Sequence, residues 1–181
     1  MEQKNFQDGS KAMTMKKVLS FIVQFSVITL VACAMPIAMI APIARITELS
    51  HPKYVQKLSG LNISGSTIVS ARDTHGGFHG DGELIVTFDC AQIADSIASQ
   101  IADWNPLPMT DNLQNLMYGG GLADKFGISE VTNGYYFFWD RHSECTDPTS
   151  DSELNDRSSW NFTLMIYDAD HSQLYLFELD T

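Results

Sequence analysis

The chain has 181 residues, with 11 Lys and Arg against 22 Asp and Glu, a net charge of −11, and 44% hydrophobic residues. That length fits one domain plus an anchoring segment. After Ala44 the imbalance steepens to 7 basic against 20 acidic residues, a net −13, and such a surface repels nucleic-acid phosphates, which argues against DNA or RNA as a partner.

Residues 1–17 are polar and read as a cytoplasmic tail. Residues 18–44 carry no charge and are flanked by Lys16, Lys17 and Arg45. About 20 apolar residues suffice to cross the hydrocarbon core as a helix, so this stretch is expected to be a single-pass transmembrane helix. Pro36 and Pro42 cannot donate to the helix ladder and predict a kink or irregularity near the far interface. Two other readings compete. Leu30-Val31-Ala32-Cys33 resembles a lipobox with Cys33 lipidated, and Ala32-Cys33-Ala34 resembles a signal-peptide cleavage site. Lys4, Lys11, Lys16 and Lys17 bias the tail toward the cytoplasm and the domain outside the cell membrane.

Residues 45–61 read as a linker, with a helical turn at Tyr54–Leu58. The globular domain is expected over 62–181. Its first strand is placed at 66–72 and its second at 83–88, where Leu84, Val86 and Phe88 alternate with Glu83, Ile85 and Thr87. Between them runs Asp73-Thr74-His75-Gly76-Gly77-Phe78-His79-Gly80-Asp81-Gly82, whose four glycines suit a wide hairpin loop. Asp89 is a good N-cap. Ile93, Ile97, Ile101 and Trp104 then fall on one helical face, and Asn105-Pro106 stops the helix. A shorter helix is predicted over 110–118, with Leu113, Leu116 and Met117 on one side. The run Tyr135–Trp139, the alternation over 160–167 and the segment 173–179 predict three more strands. The expected fold is therefore α+β. It has an N-terminal transmembrane helix, an antiparallel sheet of about five strands in the order ββ-αα-βββ, and helices packed on one face.

The glycine loop is the strongest candidate site. His75 and His79, flanked by Asp73 and Asp81, offer nitrogens and carboxylate oxygens able to ligate zinc or a similar divalent metal. The bland alternative is a rigid hairpin tip in which the aspartates cap backbone N–H groups. A third reading is a partner- or ligand-binding loop that uses Asp73, His75, Phe78, His79 and Asp81. His142 could join a metal site, and Asp140, His142 and Cys145 are the ingredients of a nucleophilic site without a spacing that enforces it. Asp147, Asp151, Glu153 and Asp156 lack the spacing of a calcium loop and read as a solvated acidic stretch. Outside the cytoplasm, Cys90 and Cys145 could form a disulfide.

Three stretches together carry a resemblance: residues 73–82, Tyr136-Phe137-Phe138-Trp139-Asp140-Arg141, and Tyr167-Asp168 through Leu174-Tyr175-Leu176-Phe177-Glu178-Leu179-Asp180. They resemble a family of small bacterial membrane-anchored proteins with an extracytoplasmic α+β domain. The resemblance covers most of residues 60–181. It implies a bacterial setting and brings no activity, substrate or cofactor. The expected function is a non-enzymatic, membrane-anchored binding domain with a protein partner. The alternatives are a metal-assisted hydrolase using the 73–82 loop and an immunity-like inhibitor of a basic toxin.

Overall fold

A computed structural model describes residues 52–76 and 80–181, which belong to one compact unit, Arg45–Thr181. The expected membrane span, residues 18–44, and the lipidation candidate Cys33 lie outside the described residues. Among the described residues, no helix is long and apolar enough to cross a membrane.

The domain is α+β, as expected, and its sheet is antiparallel. Six strands form it: β1 (Thr67–Asp73), β2 (Gly82–Asp89), β3 (Asn105–Pro106), β4 (Gly134–Asp140), β5 (Asn161–Asp168) and β6 (Gln173–Asp180). Their order across the sheet is β1-β2-β6-β5-β4-β3. The extra strand is β3, the Asn105-Pro106 pair, which sits against Tyr136 and Tyr135 of β4 at one edge. Proline lacks the N–H that an inner strand must donate, so this pair belongs at an edge. Gly134 opens β4 with φ +148°, and a Cβ there would stand 1.9 Å from the Tyr167 carbonyl oxygen.

Helices cover both faces of the sheet, which corrects the expectation of one. Leu84, Val86 and Phe88 of β2, Met165 of β5, and Leu174 and Leu176 of β6 share one core with Val55, Ile97, Ile101 and Trp104. Ile85, Phe138, Leu164, Ile166 and Phe177 point the other way, into a second core with Leu113, Met117 and Leu122. The physical reason lies in the inner strands. β2, β5 and β6 are apolar at successive residues, and a strand apolar on both sides must be covered on both. The first face is roofed by α1 (Pro52–Ser59) and α2 (Ala94–Gln100), the latter flanked by 3₁₀ turns. Ile97, Ile101 and Trp104 are buried as their spacing predicts, and Asp89 Oδ1 accepts the Ala91 N–H at 2.9 Å. The second face is roofed by α3 (Asp111–Gln114), a π-helical turn (Asn115–Gly119) and α4 (Leu122–Lys125). Thr110 caps α3 by accepting the Leu113 N–H.

Two further expectations are revised. Residues 52–61 are part of the domain and not a linker, because Val55 and Leu61 are buried in the first core. Cys90 and Cys145 are free thiols. Cys90 follows β2, whose last residue pairs with Gln173, while Cys145 lies beyond the end of β4 that reaches the β6 residue Leu179 through Phe162. Those ends are roughly 20 Å apart along the sheet, and a disulfide needs Cα atoms within about 7 Å.

Candidate functional site

The glycine loop joins β1 to β2 in a hairpin, as its composition predicts. Its base is tightly bonded. The Thr74 N–H donates to the Glu83 carbonyl at 2.8 Å, and the Glu83 N–H donates to Thr74 Oγ1 at 2.9 Å. Gly82 is required here: a Cβ on it would lie 2.4 Å from His75 Cα and 2.5 Å from His75 N. His75 therefore folds back over the start of β2, and only a residue without a side chain admits that contact.

Folding back delivers His75 into a polar cluster at the end of the sheet. Its backbone N–H donates to Asp73 Oδ1 at 2.8 Å, and its ring Nδ1 stands 2.5 Å from the same oxygen. On the other side, Nε2 lies 3.1 Å from Asp180 Oδ2, close enough for charge pairing though off the line of a hydrogen bond. The imidazole is only 3% exposed. Asp180 also binds the Arg141 guanidinium at 2.8 Å. Arg141 continues the chain, donating to Thr163 Oγ1 at 3.0 Å and to the Phe162 carbonyl at 3.1 Å. Thr163 in turn donates to Glu178 Oε1 at 3.1 Å, which also accepts the Tyr54 hydroxyl at 2.6 Å. A connected set of side chains thus runs from the glycine loop, across three strands, to α1.

Of the predicted site residues, Asp73 and His75 come together. Asp81 is exposed, and its carbonyl oxygen takes the Gly76 N–H at 3.4 Å. Phe78 and His79 lie outside the described residues. Both nitrogens of His75 face carboxylates, so metal ligation by this ring would require displacing Asp73 or Asp180. Among the described residues, no group of three His, Cys, Asp or Glu side chains is placed to hold a metal. His142 does not join His75: its Nε2 meets Ser159 Oγ at 3.2 Å, and its Nδ1 accepts the Glu144 N–H at 3.2 Å.

Asp140, His142 and Cys145 do not form a nucleophilic arrangement. The Cys145 thiol points to the Asp140 carbonyl at 3.7 Å. Desolvation first, and then the Asp140 charge, hold its pKa above the ordinary value, the reverse of an activated thiolate. Asp140 is itself buried and paired with Arg157. Asp151, expected in a solvated stretch, is buried and accepts a hydrogen bond from Thr110 Oγ1.

Sequence reasoning missed Asp180, Arg141, Glu178 and Tyr54. One signal was present. Glu178 and Asp180 continue the even-numbered positions of β6, where Leu174 and Leu176 are buried, and a carboxylate on an inward-facing row needs a partner. No protein-family model matches the chain, and no curated protein or solved structure matches it.

Proposed function

We propose that residues 18–44 hold this chain in a cell membrane and that the domain, outside the cytoplasm, is a non-enzymatic docking module for a protein partner. The observation that carries the reading is β1. Thr67 through Arg72 are exposed, in a sheet whose inner strands are buried on both faces. It is an edge strand, at the end of the sheet opposite β3. Ile68 is 45% and Val69 59% exposed. Edge strands with such side chains are templates for an added strand, and an extended peptide gains main-chain hydrogen bonds there while its alternate side chains give specificity.

β1 leads directly into the glycine loop, whose base is fixed by His75 and Gly82. The partner segment therefore meets a strand edge that runs into the bonded base of the loop. A shift in register between Ile68 and Ser70 bends the edge, a device that disfavours indiscriminate pairing. The net charge of −13 favours a basic partner, and a basic toxin is one class that fits.

The test is site-specific photocrosslinking in cells, with the full chain carrying the crosslinker at Val69 or, as a control, at the exposed Asp124. The expected result is a discrete adduct from Val69, absent from Asp124 and lost on adding Ile68→Lys. No adduct from Val69, or the same adduct from both positions, would overturn the reading. The metal-assisted alternative has its own test: about one divalent metal per full chain, lost in His75→Ala, would restore it.

A further inference from the structure

We propose that the pocket beneath the π-helical turn binds a neutral saccharide. The pocket holds about 330 Å³ and lies between the α3–π segment and residues 154–160, lined chiefly by Asn112, Asn115, Leu116, Leu154, Asn155 and Trp160. It is remote in kind from the docking edge and does not depend on it.

Three properties define the ligand. The first is charge. Among the described residues, no ionisable side chain lines the pocket, although the domain carries 20 acidic residues after Ala44. An ionic ligand would give up its hydration there without gaining a counter-charge. The second is the arrangement of amides. Asn112 is held at both ends, its Oδ1 accepting from Asn155 Nδ2 at 2.7 Å and its Nδ2 donating to the Asp151 carbonyl at 3.3 Å. Asp151 is in turn fixed by Thr110. That chain orients Asn155, whose Oδ1 acceptor is left for a ligand. Asn115, the first residue of the π turn, makes no side-chain hydrogen bond among the described residues. Amides that pair a donor and an acceptor side by side match the vicinal hydroxyls of a sugar, each of which does both.

The third property is the aromatic wall. The Trp160 indole N–H donates to the Leu154 carbonyl at 2.7 Å, and the Trp160 main-chain N–H donates to Thr181 Oγ1 at 2.7 Å. The ring also packs against the second core. It is thus a rigid apolar surface whose polar atom is already used, suited to the C–H face of a sugar ring. A nucleobase would want a second planar group opposite, and among the described residues Trp160 is the sole aromatic one of the lining. The volume lies near the lower bound for small-ligand pockets and accommodates one or two sugar rings. A π turn in the wall is a further mark, since such turns are frequent at functional sites.

The experiment is NMR of the full-length chain in a detergent without a sugar head group. The Trp160 indole N–H resonance, assigned with Trp160→Phe, is followed as maltose, cellobiose or chitobiose is added. The expected result is a saturable shift with at least one of them in the millimolar range, weakened about tenfold by Asn115→Ala and by Asn155→Ala. Both asparagines are exposed, so these variants should melt as the parent does. The proposal is overturned by no saturable shift with any of the three up to about 50 mM, by equal binding in both variants, or by equal binding of glucuronate.

Discussion

Arg157 reaches Asp140 at the end of β4, and the two side chains are 12% and 1% exposed. Two of the guanidinium nitrogens, Nε and Nη1, are buried without a hydrogen-bond partner among the described residues, so the pair already sits in a poorly solvated place. Removing one member of a buried pair leaves the other charge unsatisfied and costs about 3–5 kcal/mol. Arg157→Met should lower unfolding stability by that amount in urea titrations, far more than the loss of a surface ion pair. A result under about 1 kcal/mol would mean that Asp140 finds water or another partner.

Cys90 offers a second prediction at this scale. Burial first, and then the Asp89 charge, raise its thiol from an ordinary 9.0 to about 11. The native thiol should therefore resist alkylation at pH 8 and react only when the chain unfolds. Folding holds this proton more tightly than the unfolded chain does. The stability associated with it is intact below pH 9 and declines as pH rises from 9 toward 11. Rapid labelling of native Cys90 at pH 8 would contradict the burial described above.

At the scale of elements, the hairpin base depends on the closeness of β2 to the loop. Gly82→Ala drives a methyl group into the His75 backbone, and backbone cannot swing away as a side chain can. The variant should lose about 2 kcal/mol or more, and limited proteolysis should cut between residues 74 and 81 sooner than in the parent. Unchanged cleavage would show that the loop is held by something other than this contact.

Elements with a single strong period were legible beforehand. The Ile93–Trp104 stripe and the short helix after Thr110 follow from local chemistry alone, whereas β2, read as alternating and half-buried, is buried on both faces, with Ile85 and Thr87 covered as well. What could not be read was which side of the sheet each helix covers. That depends on β6 entering between β2 and β5, a pairing between segments far apart in the chain. The same holds at the candidate site. Asp73 and His75 stand out by their spacing, whereas Asp180 and Arg141 join them only once β6 pairs with β2 and, through β5, is brought near the end of β4. Residues 52–61 looked like a linker because their apolar residues are few, yet Val55 and Leu61 fill a core that other segments build.

For the whole molecule, the excess of acidic residues sets a background repulsion that compact structure must overcome. Screening should relieve it. Raising ionic strength from about 0.01 M to about 0.15 M shortens the Debye length from roughly 30 Å to about 8 Å. The melting temperature should rise over that range, as scanning calorimetry can measure. A fall would mean that attractive pairs such as Arg141–Asp180 and Lys125–Glu83 outweigh the general repulsion. The steering of a basic partner should weaken over the same interval, so that folding and association respond to salt with opposite signs.

The position of β6 has a consequence for how the domain comes into being. The hairpin of β1 and β2 and the pair of β4 and β5 share no strand contact; β6 is the seam that hydrogen-bonds to both. Until residues 173–180 are available, each half presents a bare inner edge of apolar strand, the kind of edge that recruits other chains. Closure demands pairing of β2 with β6, from Asp89 with Gln173 to Gly82 with Asp180, about half the chain apart, and such non-local pairing is slow to form. Before those last residues arrive, the chain would thus hold two halves without a common sheet, and the domain would set into its final form in one late step.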